Sequence, residues 1–228
     1  MFRFNGTVWN QGEELTMKKK LLLKAMAVVL SAVCLTGCSG SDKVVFSSET
    51  VVNVAKKYGM EETANYSECI QLLAQEENNS LYYVMDNPEE ANKWYYASYL
   101  VAENSPFPDI QVNDCLICFE KISEGMGGRN ALTEIYMINA VDDESALELY
   151  NAFCVEDSKY ESSSGEKDGY KYSIRYLGNE NRQMTGGVYL QNSTVIFINY
   201  AGEVEEDGGC VGFFCKELGI ESPLTLKE

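Results

Sequence analysis

The sequence predicts an α+β fold in which helices pack on an antiparallel sheet meander, and three observations lead to it. Hydrophobic residues make up 45% and charged residues 23% of the 228, the composition of a globular chain rather than of a disordered acidic one. Stretches with apolar residues at the helical period alternate with short stretches rich in β-branched and aromatic residues. The strand-like segments near the C-terminus are separated by turns far too short for a parallel crossover, so neighbours must run antiparallel. No proline-rich or repetitive linker divides residues 48–228, which are expected to form a single domain.

The first helix is expected at Ser48–Tyr58, with Val51, Val54, Ala55 and Tyr58 at helical spacing and Gly59 as its stop. A second, over 65–76, lines up Tyr66, Cys69, Ile70 and Leu73. Residues 80–85 then read as a strand. Asn87 and Pro88 open a helix as cap and first residue, with Ala91, Trp94, Tyr95 and Ser98 on its inner face. Residues 115–122 and 132–140 read as strands joined by a glycine-rich hairpin loop at 125–130. Asp142 or Asp143 caps the next helix, in which Ala146, Leu149, Tyr150 and Phe153 recur at the helical period. Strands at 170–177, 184–190 and 194–200 follow, and a last helix over 210–218 ends at Gly219.

Two internal echoes leave a degenerate duplication open. Residues 82–97 set on 137–152 match Glu89 with Glu144, Ala91 with Ala146, Tyr95 with Tyr150 and Ala97 with Ala152. Residues 55–61 likewise parallel 215–221, a likeness that a shared helix-stop motif also explains.

The composition excludes whole classes of chemistry. With no histidine, neither Ser-His-Asp nor Cys-His catalysis nor an imidazole-ligated metal site can be built. A net charge of −17 argues against a nucleic-acid partner, because phosphate binding depends on clustered Lys and Arg.

The N-terminal region carries the most specific motif. Met17-Lys18-Lys19-Lys20, then Leu21-Leu22-Leu23-Lys24 and the apolar stretch 25–35 form the charged start and greasy centre of an export signal. It closes on Leu35-Thr36-Gly37-Cys38. These four residues resemble the lipobox of bacterial lipoproteins, and the resemblance implies lipidation of the Cys38 sulfur and cleavage between Gly37 and Cys38. Eleven residues are also short of the ~20 needed to span a bilayer. Residues 1–16 have no periodicity and precede a complete signal, so they are read as an upstream extension, with translation expected to start at Met17. Residues 17–37 are then the signal peptide and 38–47 a flexible tether to the domain at 48–228. Removing residues 1–37 leaves 13 basic against 33 acidic side chains, a net charge of −20 that anionic lipid repels.

The tempting chemistry in the domain is Cys115-Leu116-Ile117-Cys118, a CxxC motif. Redox CxxC pairs sit at a helix N-terminus, whereas these residues are strand-like. Residues three apart in a strand point to opposite faces with Cα atoms roughly 10 Å apart, beyond disulfide reach. Cys69, Cys154 and Cys215 fall on apolar stripes as small hydrophobes; with Cys210 the six domain cysteines permit three disulfides, free thiols, or a zinc site from Cys115, Cys118, Cys210 and Cys215. The acidic runs at 203–207 and 142–144 lack the spacing of an EF-hand loop and are assigned to solvated surface and helix capping. Tyr95, Tyr96 and Tyr99 offer a platform for glycan or peptide, against core packing as the alternative. Paired carboxylates would serve a histidine-free hydrolase, but nothing selects a pair.

Beyond the lipobox, most of residues 80–220 resembles, as a layout, the small α+β lipoproteins that Gram-positive bacteria export: a strand, an acid-capped helix, a polar loop and a strand meander. The resemblance supplies no catalytic, cofactor-binding or metal-ligating residue. The expected function is therefore a non-catalytic binding module, lipid-anchored on the extracytoplasmic face of the cell membrane, with an envelope protein or cell-wall component as partner. The alternatives are an extracytoplasmic thiol protein using Cys115 and Cys118, or a histidine-free carboxylate hydrolase.

Overall fold

A computed structural model describes residues 44–75, 80–122, 131–154, 160–178, 182–203 and 208–226. The segment expected to be a signal and lipobox, with Gly37 and Cys38, and the loops expected at 125–130 and 179–181 lie outside the described residues, as do acidic positions 205–207.

The first helix, α1 (Ser48–Tyr58), starts where the Ser47 hydroxyl accepts the Thr50 N–H at 3.2 Å, and it stops at Gly59 with φ 98°. A two-residue strand β1 (Glu61–Glu62), helix α2 (Tyr66–Gln75) and strand β2 (Ser80–Met85) follow. The Asn87 side chain caps α3 (Pro88–Tyr95), which runs into a π-helical turn at Tyr96–Leu100. Strands β3 (Val112–Ile122) and β4 (Ala131–Ala140) lead to α4 (Asp143–Phe153), capped by Asp142. Then come β5 (Glu161–Lys167), β6 (Tyr170–Gly178), β7 (Arg182–Gln191), β8 (Thr194–Glu203) and α5 (Val211–Leu218), with a 3-10 turn at Pro223–Leu226.

The fold is α+β. All eight strands form one sheet in the order β1-β2-β3-β4-β8-β7-β6-β5, antiparallel except for the β1–β2 pair. Helices cover both faces, so the central strands are buried on each side and read as continuous apolar runs rather than alternating ones. On one face α1, α5 and the C-terminal turn close over Leu116, Cys118, Ile135, Ile196 and Ile198. On the other, α2, α3 and α4 pack on Cys115, Ile117, Phe119, Ile138 and Val195.

Several details depart from the sequence expectation. Val44–Phe46, placed in the tether, belong to the packed domain: Phe46 is buried, its N–H donates to Gln191 Oε1 at 2.9 Å, and Gln191 Nε2 donates back to the Val44 carbonyl at 2.7 Å. Ser98 is exposed and Tyr99 takes its place inside, because the wider π turn delays by one residue the return of the chain to its inner face. Strand β5 falls where the sequence pattern predicts no strand; its sequence Glu161-Ser-Ser-Ser-Gly-Glu-Lys167 is polar and lies at the sheet edge. Its signal is the Asp168-Gly169 turn, with φ 50° and 86°, which is hairpin chemistry. The shorter echo is a shared stop motif. Gly59 and Gly219 donate to residues 55 and 56 and to residues 215 and 216, while Met60 and Ile220 donate to Ala55 and Cys215. The longer echo is a repeated strand–cap–helix unit whose two helices, α3 and α4, share one face of the sheet.

Candidate functional site: an aromatic groove with two isolated charges

Strand pairing sets rows of side chains across the sheet, since directly paired residues share a face. On the face under α2, α3 and α4, one row reads Leu81, Phe119, Glu134, Asn199, Gly186, Arg175, Ser162. The next reads Tyr83, Ile117, Tyr136, Phe197, Val188, Ser173, Ser164. Both rows are apolar at the β2 end and polar at the β5 end. Gly186 contributes no side chain between Asn199 and Arg175, and a Cβ there would come within 2.7 Å of the Ile198 carbonyl oxygen.

The helices cover this face incompletely. Six aromatic side chains form a closed circuit of ring contacts: Trp94 to Tyr99 (5.7 Å), Tyr99 to Phe107 (4.6 Å), Phe107 to Phe153 (5.0 Å), Phe153 to Phe197 (4.8 Å), Phe197 to Tyr136 (5.8 Å) and Tyr136 to Trp94 (5.8 Å). All six line a cavity of about 500 Å³ together with Glu134 and Arg175. A second cavity of about 790 Å³ shares Phe153, Arg175 and Phe197 with the first and continues toward the edge, walled by Tyr160, Cys154 and Ser162, Ser163, Ser164 and Ser173. The two form one groove, aromatic at one end and hydroxyl-lined at the other.

Two charges stand in it. Glu134 accepts a hydrogen bond from the Tyr136 hydroxyl at 3.0 Å, and the Arg175 guanidinium lies 5.5 Å over the Tyr160 ring. Neither makes an ion pair among the described residues. Burial pushes the Tyr99 and Tyr136 phenols well above the ordinary tyrosine value, with Glu134 adding to the shift, so both remain hydrogen-bond donors at physiological pH. The enclosed Trp94 Nε1 has no acceptor in hydrogen-bonding geometry, although the Tyr66 hydroxyl is near enough for the indole to offset part of the upward push that burial gives that phenol.

The expected tyrosine platform is therefore divided. Tyr95 is buried with its hydroxyl on the Pro108 carbonyl at 2.8 Å, Tyr96 is exposed, and only Tyr99 reaches the groove. Six further aromatic residues, from α2, α3, α4, β4, β8 and the segment before β3, complete the wall of the smaller cavity.

Cys115 and Cys118 are buried on opposite faces of the sheet, as strand geometry requires. All six domain cysteines are free thiols, and desolvation raises those of Cys115, Cys118 and Cys210, while the Cys215 thiol is pushed up to about 12. This is the reverse of what a nucleophilic thiol needs. Cys210 opens α5, but its backbone N–H donates to the buried Glu120 carboxylate at 2.7 Å, so that helix end already has its anion; Glu120 also accepts from the Tyr58 hydroxyl. Asp142 is a helix cap, accepting the Ser145 N–H at 2.8 Å, which holds its carboxyl below the usual range. Among the described residues no group of three or more Cys, Asp or Glu is placed to hold a metal ion, and the groove's lining includes one carboxylate rather than the pair a glycosidase uses.

No family model matches the chain, and no curated protein matches it. Among solved structures it is similar to the extracellular domain of PknH from Mycobacterium tuberculosis, with a TM-score of 0.36 and 9% sequence identity over 76% of this chain and 94% of that one.

Proposed function

We propose that the protein is a lipid-anchored extracytoplasmic module whose domain binds a ligand in the aromatic groove without transforming it. The observation that carries the binding reading is the groove itself: a circuit of six aromatic rings around a cavity in the size range of small-molecule sites, with a few polar groups fixed on sheet strands. The anchor reading rests on Leu35-Thr36-Gly37-Cys38 and the basic and apolar segments before it. Among the described residues no helix is long and apolar enough to cross a membrane. The described residues begin at Val44, six positions after Cys38, and six residues span at most roughly 20 Å. Two or three acyl chains are needed to hold such a protein stably, and a domain with a net charge of −20 gains nothing from the lipid surface.

Each half has its own test. Cells fed an alkyne-tagged fatty acid should label the full chain, and Cys38→Ser should abolish the label; an unlabelled wild-type chain ends the anchor reading. For the groove, the chain has two tryptophans, Trp9 and Trp94. In full-length Trp9→Phe, Trp94 reports from the groove wall, and the neutral probe N-acetylphenylalaninamide should shift its emission saturably at millimolar concentration. No shift with this or any related probe ends the groove reading.

A further inference from the structure

The groove's two charges specify its ligand more closely than its aromatic wall does. Glu134 and Arg175 lie in one cross-strand row, separated by Asn199 and Gly186. Three inter-strand steps place their Cα atoms roughly 14 Å apart. A direct ion pair would need both side chains to reach inward over the floor, and they do not meet. Each charge keeps a weak neutral partner, the Tyr136 hydroxyl or the Tyr160 ring. A half-buried carboxylate and a half-buried guanidinium that line one cavity and are held apart in this way match a molecule that carries an ammonium at one end and a carboxylate at the other.

We propose that the groove takes a short zwitterionic peptide of two or three apolar residues. Its free amino terminus sits against Glu134 beside the aromatic circuit, its carboxylate meets Arg175 and the hydroxyls of Ser162 and Ser173, and its side chains lie over Tyr136, Phe197 and Phe153. The assignment deepens the binding reading above and rests on it.

Three further observations support the choice. Strand side chains stand roughly perpendicular to the sheet, which carries the 14 Å Cα footing up to the two charges; allowing ~3 Å for contact at each end leaves roughly 8 Å, the length of two to three extended residues at ~3.5 Å each. The cavity of about 500 Å³ accepts such a peptide, whereas one amino acid would leave one of the two charges unanswered. Finally, the domain is strongly anionic, so a ligand of net negative charge is repelled at long range and a simple cation is drawn to the whole surface; a molecule with zero net charge avoids both. The polar row supplies orientation. The ammonium is drawn to the aromatic end, where ring faces add cation–π attraction, and the carboxylate to the end where hydroxyls and a guanidinium donate.

The test titrates full-length Trp9→Phe with leucyl-phenylalanine and three relatives: the N-acetylated form, the C-amidated form, and the form blocked at both ends. The unblocked dipeptide should bind at least tenfold more tightly than either singly blocked form. Glu134→Gln should remove the penalty for N-acetylation alone, and Arg175→Gln the penalty for amidation alone; unchanged thermal midpoints show that the variants fold. Equal binding of all four peptides would overturn the zwitterion assignment while leaving the groove as an apolar binding site. Tighter binding of the C-amidated form than of the free dipeptide would overturn it in favour of a cationic ligand. Absence of any Trp94 response to all four would overturn the assignment and the groove reading together. Free phenylalanine matching the dipeptide would overturn the span argument on which the peptide length depends.

Discussion

The two faces of this sheet are built from the same strands and differ in how completely they are covered. Under α1 and α5 the face is closed: Phe214, Cys215 and Val211 pack in one cluster with Leu116, Ile196 and Ile198, and the buried carboxylate of Glu120 is committed to holding the start of α5. Under α2, α3 and α4 the face is closed near the helices and open beyond them, leaving Tyr136, Phe197 and Arg175 half-buried in a groove. The difference teaches where stability and recognition have been placed. On the closed face the buried carboxylate of Glu120 is answered from within the protein, while on the open face one acid and one base are left without a charge partner among the described residues.

Substitutions on the closed face should have the largest effect on folding. Phe214→Ala, removing a fully buried ring, should cost about 4 kcal/mol in denaturant unfolding, through lost burial and the cavity left behind. Glu120→Ala should cost about 3 kcal/mol, because the Cys210 N–H and the Tyr58 hydroxyl lose a charged acceptor in the interior; Glu120→Gln, which keeps an acceptor oxygen, should cost clearly less. Asn87→Ala removes the cap of α3 and should cost about 1 kcal/mol, or ~3 °C in thermal midpoint for a domain of this size. Arg175→Gln, on the open face, should change stability by less than about 0.5 kcal/mol. A loss from Arg175→Gln comparable to that from Glu120→Ala would erase the proposed division between the faces.

Alkaline pH tests the same division differently. The buried thiols of Cys115, Cys118, Cys210 and Cys215 are raised in the folded protein, so above their unfolded value near 8.5 the unfolded chain gives up protons that the folded chain retains. Stability should be flat from pH 6 to 8 and fall progressively from about pH 9 upward, seen as a declining urea midpoint. Replacing Cys118 with Ala should flatten part of that decline, whereas replacing the half-buried Cys154 should alter it less.

Much of this organisation is legible in the chain. Caps and stops fixed α1, α3 and α4 because Ser47, Asn87, Asp142 and Gly59 act locally, within a turn of the backbone they satisfy. The opposite burial of Cys115 and Cys118 also follows from strand geometry alone. The edge strand β5 escaped because its three serines carry no apolar alternation, and only its Asp168-Gly169 turn marks it. The groove escaped for a different reason. In Tyr170-Lys171-Tyr172-Ser173-Ile174-Arg175 the polar alternates belong to solvent by any pattern rule, yet that face continues across β7 and β8 into a helix-covered core. Which residues share a row depends on pairing between strands distant in sequence, and the covering wall depends on a π turn that brings Tyr99 in beside Ser98. Neither is a local property of the chain.

The clasp between Gln191 and the backbone of Val44 and Phe46 has a mechanical consequence. Tension applied through the residues ahead of Val44 reaches this amide first, at the tip of the β7–β8 hairpin. That segment is held by two hydrogen bonds and one buried phenyl ring, whereas the strands that carry Glu134 and Arg175 are paired on both sides by continuous ladders, so a pull from the N-terminal side loads the clasp ahead of the floor.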